Sequence, residues 1–340
     1  MRSSTPVVPP RQIAFRCDGD ELTGAGHVGR CLPLAAAFAR LAWEVCFVGT
    51  YGGLASWLLV RAGMPVRPTE PDAPCGIAAH VCDAAVIDSY RIAPGDICEL
   101  ARALPVATLG EANRCSSHGI LVDYHLDRTE PSGARLLAGP SFAPLDPGFA
   151  GAGRAGSSVR TVLVTLGGSL EARGPLAQVV PLIEFAFPDA DILIAGGMPP
   201  AARAVLRPRV VSLPSPSALV DVMPQVDIAV TAAGLTAYEL ACAGIPQVAI
   251  AIVANQSRVV QGLRDSGLAL CLDLTANDSL ADLPATLERL KDAALRRRLA
   301  MRGKKVFDGQ GARRAATALA KLFGIDEGAA NRLPAVSAGD

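Results

Sequence analysis

This 340-residue sequence has few aromatic residues and no net charge. Phe, Trp and Tyr make up 4% of the residues, and 32 basic residues are balanced by 32 acidic ones. A surface that binds nucleic acid needs an excess of Lys and Arg, and single-strand binding adds aromatic rings on which bases stack. The composition therefore argues against nucleic acid as the main partner.

Paired cysteines and long apolar runs are absent too. The nine cysteines are spread singly along the chain, and none forms a C-x-x-C motif. This spacing indicates neither a disulfide framework nor a zinc site. It predicts a protein whose thiols stay reduced, as they do in the cytoplasm. The first residues lack the apolar core of a signal peptide, and no run of about 18 apolar residues marks a membrane span. We therefore expect a cytoplasmic protein with no membrane span.

What the chain does contain is a repeated alternation of short apolar runs and helical patterns. Such runs are typical of strands that are covered on both faces in a parallel sheet. They lie at residues 12–17, 45–49, 84–88, 105–109 and 119–123, and again at 161–166, 191–195, 209–213, 227–230 and 247–252. We predict an α/β protein with two Rossmann-like, doubly wound domains that face each other across a cleft.

A segment dense in Gly, Pro and Ser separates the two halves at residues 139–158. The predicted domains are an N-terminal acceptor-binding and catalytic domain at 11–145, a linker at 146–158, and a C-terminal donor-binding domain at 159–325. We predict flexible ends at 1–10 and 326–340.

Residues 231–246 have the pattern of an anion-binding turn between a strand and a helix. A helix that opens near Gly234 or Leu235 directs free N–H groups and a positive dipole end towards a bound anion. Thr236 would add a hydroxyl, and Glu239, one turn later, would accept hydrogen bonds from a sugar diol. An ordinary strand–turn–helix connection with a solvated Glu fits the spacing at least as well.

A second glycine-containing loop follows the first predicted strand. It runs from Asp18 to Gly26 and is followed by His27, at or near the start of a predicted helix. Because Gly24-Ala-Gly26 lacks the third glycine of a dinucleotide fingerprint, NAD is not predicted.

These motifs resemble those of the GT-B nucleotide-sugar enzymes. Residues 231–246 are similar to the donor-binding helix of the N-acetylglucosaminyltransferase that makes the peptidoglycan lipid precursor, and residues 166–169 to its phosphate turn. A closer resemblance is to the UDP-sugar hydrolase of pseudaminic acid biosynthesis and its glycosyltransferase-like relatives. Its landmarks are matched in order by residues 15–18, 24–32, 87–90, 139–145, 168–169 and 255–256.

Several residues depart from the hydrolase pattern. Phe142 stands where Tyr is usual, Gly148 where Glu is common, Leu170 where Asp is common, and Ala254 where a charged residue is usual. These changes remove polar groups near the expected cleft, and they favour a different sugar or acceptor.

The resemblance implies displacement of UDP from the anomeric carbon of a UDP-sugar with inversion. It implies that His27 is the general base and that Asp18 and Tyr90 assist, although a structural ion pair between Asp18 and Arg16 fits equally well. The nucleotide-sugar would be bound by Arg16, Gly26, Gly168, Ser169, Gly234, Leu235, Thr236, Glu239, Asn255 and Gln256. Helix and backbone dipoles would replace a metal ion, so neither a metal nor another cofactor is expected.

We therefore expect a glycosyltransferase that passes a sugar from UDP to a small soluble acceptor. A hydrolase that uses water is the alternative, and a non-catalytic nucleotide-sugar-binding partner is the third hypothesis. The sequence leaves a homodimer open. We interpret His80, His118 and His125 as structural or exposed, with His125 the first candidate for an exception because it follows the strand-end residue Asp123.

Overall fold

The fold was derived from a computed structural model. It describes residues 10–20, 23–69, 76–77, 82–110, 119–128, 135–154, 156, 158–167, 175–196, 209–213 and 218–330. Within these ranges, no helix is long and apolar enough to cross a membrane.

The N-terminal domain is built on a parallel sheet. Its strands are β1 (Gln12–Cys17), β2 (Glu44–Gly49), β3 (Val66–Pro68), β4 (Ala84–Asp88), β5 (Val106–Leu109), β6 (Ile120–Asp123) and β7 (Leu136–Ala138). In the described residues they are ordered β3-β2-β1-β4-β5-β6-β7, and neighbouring strands pair in parallel. The order changes direction between β1 and β4, and ligands of open α/β sheets bind at the carboxyl edge beside such a switch point.

The C-terminal domain repeats this arrangement. Its strands are β8 (Thr161–Thr165), β9 (Asp191–Ile194), β10 (Val210–Ser212), β11 (Ile228–Ala232), β12 (Gln247–Ala251) and β13 (Leu270–Asp273). Their order across the described part of the sheet is β10-β9-β8-β11-β12-β13, again all parallel, with the switch between β8 and β11.

Helices cover both sheets. We number those of the described residues α1 (Gly26–Arg40), α2 (Gly53–Arg61), α3 (Pro94–Ala103), α4 (Leu176–Ala186), α5 (Leu235–Ala243), α6 (Ser257–Asp265), α7 (Leu283–Arg289), α8 (Ala293–Val306) and α9 (Gly311–Ala330). The central strands are buried along their whole length, as β4 and β11 show. This burial explains why they read as continuous apolar runs in the sequence.

The prediction of two doubly wound α/β domains is confirmed, and β1 and β4 have the predicted bounds. The strands β3 and β7 were not predicted, because neither lies in an apolar run distinct enough to identify it as a strand. The final helix reaches Ala330, beyond the predicted start of the flexible end at residue 326.

The end of the chain returns to the N-terminal domain. Phe323 of α9 stacks on Phe38 of α1 with 6.2 Å between ring centroids, and it meets Trp43 edge-on at 6.2 Å. All three rings are buried. The predicted boundaries assign 159–325 to the C-terminal domain, so the structure differs from them by docking α9 on the other domain.

The linker also packs closely. The N–H groups of Gly151 and Gly153 donate to the carbonyl oxygens of Cys242 and Ala243, at 3.1 and 2.9 Å, at the end of α5. A Cβ atom at Gly153 would lie 2.5 Å from Ile245, so this close approach requires glycine. The connection between the domains is therefore fixed against the helix whose other end faces the cleft.

Candidate active site

The loop between β1 and α1 is held by a compact turn. Thr23 N–H donates to Asp20 Oδ1 at 2.8 Å, and Asp20 N–H donates to Thr23 Oγ1 at 3.1 Å. Burial raises the pKa of Asp20, but hydrogen bonds from Thr23 and the contact with Arg91 outweigh it and lower the pKa to about 2. This turn places His27 in the first turn of α1.

His27 forms a buried cluster with two other charged or polar side chains. Its Nδ1 lies 2.9 Å from Asp88 Oδ1 and 2.8 Å from Arg30 Nη2. Arg30 also donates to both oxygens of Asp88, from Nε at 2.5 Å and from Nη2 at 2.9 Å. His27 and Asp88 are each 4% exposed.

The cluster holds an ionised carboxylate against the imidazole. Burial raises the pKa of Asp88, but the charge of Arg30 and the contacts with His27 lower it well below its usual range, so the carboxyl is ionised. When Nδ1–H donates to Asp88, Nε2 keeps a lone pair, which is the tautomer that a base requires.

Tyr90 lies beside the imidazole of His27. Its ring meets that of His27 edge-on at 4.7 Å between centroids, and Tyr90 is 49% exposed. Tyr90 also lines a cavity of about 160 Å³ between the two domains.

Asp18 and Arg16 have a different environment from the one the catalytic prediction needs. Arg16 Nη1 donates to Asp18 Oδ1 at 2.7 Å, and Ser89 Oγ donates to Asp18 Oδ2 at 2.9 Å. Both residues of this ion pair are buried. In the described residues neither lines the cavity, and the partner of His27 is Asp88 rather than Asp18. This placement matches the structural ion pair that the sequence left open.

The opposite wall of the cavity is the start of α5. Ala233, Gly234 and Leu235 line it, with Gly234 as the extended residue that precedes the helix. The N–H groups of Leu235 and Thr236 belong to the first helical turn and have no acceptor within the helix. The predicted anion-binding helix start therefore faces the domain that carries His27.

Thr236 and Glu239 lie further along α5 and do not line this cavity. Burial raises the pKa of Glu239 to about 7, and nearby Asp146 adds to this, although the Thr236 hydroxyl opposes it. Glu239 is half-buried beside the linker. Its predicted contact with a ribose stays a prediction.

Asn255 and Gln256 line the cavity where the chain leaves β12. Gln256 Oε1 accepts a hydrogen bond from Ile252 N–H at 2.8 Å, which fixes the turn. Gly26, in the first turn of α1, has open space where a Cβ would lie. Gly168, Ser169 and Leu170 lie outside the described residues, so the roles predicted for Gly168 and Ser169 stay predictions.

Two strand-end aspartates are the functional candidates that the sequence reasoning did not assign. Asp88 and Asp123 are the last residues of β4 and β6, and both are buried. Asp123 Oδ1 accepts from His125 Nδ1 at 2.7 Å, and its Oδ2 accepts from Arg258 of the C-terminal domain at 3.1 Å. A carboxylate that ends an apolar strand of a parallel sheet was the available signal.

No group of three His, Cys, Asp or Glu side chains with metal-site geometry occurs within the described ranges. The positive features on the cavity wall are instead the start of α5 and Arg30. These groups can bind the anionic part of a ligand.

No protein-family model matches the chain. A curated relative is the spore coat polysaccharide biosynthesis protein SpsG of Bacillus subtilis strain 168, which is 27% identical over 204 residues. The match spans 56% of this chain and 59% of that protein's length.

Solved glycosyltransferase structures are similar over nearly the whole chain. MurG of Acinetobacter baumannii has 17% identity and a TM-score of 0.61, and the match covers 92% of this chain and 100% of that one. CalG4, the calicheamicin glycosyltransferase, has 16% identity and a TM-score of 0.64, with 93% and 99% covered. These similarities confirm the predicted GT-B fold. The cleft between the two domains is lined by Arg30, Asp88 and Tyr90 on one side and the start of α5 on the other.

Proposed function

We propose that this chain is an enzyme, an inverting and metal-independent glycosyltransferase. It displaces UDP from the anomeric carbon of a UDP-sugar and passes the sugar to a small soluble acceptor. The observation that carries the proposal is the His27–Asp88 pair, held by Arg30 on a cleft whose other wall is a helix start. A base and an anion site then face each other from two domains.

In the proposed reaction the acceptor oxygen or nitrogen attacks the anomeric carbon from the face opposite the diphosphate. A bond forms between the acceptor and that carbon, and the bond from the carbon to the phosphate oxygen breaks. Its electron pair stays with the diphosphate, which the start of α5 stabilises through N–H groups and the helix dipole. The acceptor proton moves to His27 Nε2, while Nδ1 remains bound to Asp88.

The comparisons support a transferase. Glycosyltransferase structures match this chain over most of its length, and SpsG is named for polysaccharide biosynthesis. Support also comes from the sequence signature around His27, which places Arg30 one turn after the imidazole. We also propose a cytoplasmic location, as expected from the unpaired cysteines.

The test is release of UDP from a panel of UDP-sugars, with dTDP-sugars as the base control, with and without candidate acceptors. Release that depends on an acceptor, with an inverted anomeric centre by NMR and no loss in EDTA, is the expected result. Release without any acceptor would identify the hydrolase predicted as the alternative. A protein that binds UDP-sugars but releases no UDP under any condition would leave only the binding role.

His27→Ala tests the base directly. We expect kcat to fall by at least about 100-fold, because a positioned general base contributes that much. UDP affinity should stay nearly unchanged, since the nucleotide is held by the other domain. Arg40→Ala is the matched control, because Arg40 is exposed at the far end of the same helix. A large loss of UDP affinity in His27→Ala would contradict the assignment.

A further inference from the structure

A second imidazole–carboxylate pair lies on the cleft. His125 Nδ1 is 2.7 Å from Asp123 Oδ1, and the His125 backbone N–H donates to the same oxygen at 3.3 Å. The Tyr124 ring stacks on the imidazole at 5.0 Å with 12° between planes. Asp123 is fully buried, whereas 13% of the His125 side chain is exposed and His125 lines the cavity. The contact with Asp123 therefore fixes the Nδ1 edge of the His125 ring, and His125 also lines the cleft.

The surrounding charges already balance without a charged imidazole. Arg128 Nε donates to Asp123 Oδ2 at 2.7 Å, and Arg258 Nη2 donates to Asp127 at 2.8 Å and to Asp123 at 3.1 Å. Two guanidinium groups therefore compensate two carboxylates. A neutral His125 that donates Nδ1–H to Asp123 keeps a lone pair on Nε2, and no partner for Nε2 occurs among the described side chains. That lone pair suits a hydroxyl or N–H donor from a ligand.

The position of His125 separates it from the proposed base. Asp88 and Asp123 end β4 and β6, which lie on either side of β5. Two strand spacings put these carboxylates roughly 10 Å apart. A sugar ring with hydrogen bonds at both ends bridges such a span. Asn255 and Gln256 line the same cavity from the C-terminal domain.

We propose that His125 is a specificity-determining residue, whose Nε2 accepts a hydrogen bond from a hydroxyl of the transferred sugar on the side remote from the anomeric carbon. The inference rests on the proposed function, because it places a UDP-sugar in the cleft. It defines the donor class: the sugar carries a free hydroxyl at that position, and the corresponding deoxy sugar binds poorly.

The test is a set of binding measurements by calorimetry. UDP, UDP-glucose, UDP-N-acetylglucosamine and their monodeoxy analogues are titrated into the wild-type protein, His125→Ala and His125→Gln. We expect His125→Ala to weaken the preferred UDP-sugar by about 10-fold or more, while the affinity for UDP stays unchanged. One monodeoxy analogue should bind the wild type as weakly as its parent binds His125→Ala, and His125→Ala should not weaken it further. His125→Gln retains an acceptor oxygen and should recover part of the loss.

Asp127→Asn is the matched control, because it changes the same ion cluster at a residue that does not line the cavity. It should keep the preference for the sugar. Equal losses of UDP and UDP-sugar affinity in His125→Ala, or no loss of either, would overturn the inference.

The outcomes for the two proposals are distinguishable. If the wild type turns over and His125→Ala binds the sugar as tightly as the wild type does, only this inference is overturned. A sugar preference that depends on His125, in a protein that never releases UDP, supports this inference and overturns the catalytic proposal. A wild type that binds neither UDP nor any UDP-sugar overturns both.

Discussion

At the scale of single residues, a sequence motif predicted His27 but not the carboxylate that contacts it. The glycine loop and the match to a known signature led to the prediction of His27 as the base, and the structure places its imidazole beside Tyr90. Its carboxylate partner was missed because Asp88 lies 61 residues away in the sequence. Nearby Asp18 was the local candidate. Pairings of this kind depend on strand order, which apolar patterns do not specify.

Asp88→Asn should lower kcat by about 100-fold or more, because an amide no longer fixes the tautomer of His27. The change also leaves Arg30 buried without its anion, so unfolding free energy should fall by about 3–5 kcal/mol. Turnover and thermal unfolding measure the two effects. Glu99→Gln, at an exposed position on α3, should change neither. An active and fully stable Asp88→Asn protein would disprove the role of this carboxylate.

Glu239 gives a pH-dependent prediction. Its folded pKa of about 7 lies above its ordinary value, so the folded state binds a proton that the unfolded chain has lost. The stabilisation is complete below the ordinary pKa of a glutamate and disappears as pH rises through 7. Glu239→Gln should therefore raise the unfolding free energy by about 1–2 kcal/mol at pH 8, with little effect near pH 4.5. Denaturant unfolding at both values measures this, and an equal effect at both would refute it.

At the scale of single elements, one close contact between two helices sets a requirement for glycine. α8 crosses α5 at Gly303, where a Cβ would lie 2.3 Å from the carbonyl oxygen of Ala241. Two backbones that approach this closely leave no room for a side chain. The sequence did not indicate this contact, because a glycine within a helical pattern does not show which neighbour it meets.

Gly303→Ala should lower the unfolding free energy by about 1–3 kcal/mol, because the two helices must separate. Gly29→Ala is the matched control in α1, where a Cβ would meet nothing within 4 Å. It should instead raise stability by about 0.5–1 kcal/mol through helix propensity. Thermal midpoints compare the two variants, and changes of the same sign would contradict the packing argument.

At the scale of the whole molecule, ion pairs connect the two domains. Arg61 of α2 makes two hydrogen bonds to Asp221, at 2.8 and 3.0 Å, and both side chains are about half exposed. Arg258 of α6 reaches Asp123 and Asp127 instead, and Asp123 is fully buried. The two-domain cleft was predictable from the repeated strand pattern. These bridges were not, because they depend on how the domains face each other.

Arg258→Ala should loosen the contact between the two domains, since it removes the cation of the C-terminal domain that contacts the buried carboxylate of Asp123. We expect a larger radius of gyration by small-angle scattering and faster amide exchange around β6. Arg264→Ala is the control on the same helix, because Arg264 contacts Asp278 and Cys271 within its own domain. Arg61→Ala should have a small effect on stability, and that effect should shrink in high salt. Identical scattering from Arg258→Ala and wild type would rule out the bridge.

The docking of α9 on α1 has a consequence for biosynthesis. Phe38 and Trp43 are made early, but Phe323, which packs against both, comes from a helix that begins at Gly311. Because the chain is synthesised from its amino end, the N-terminal domain lacks the packing of α9 until the C-terminal domain has been translated. During that interval its aromatic surface is available to chaperones, and expression of residues 11–145 alone should give an aggregation-prone product.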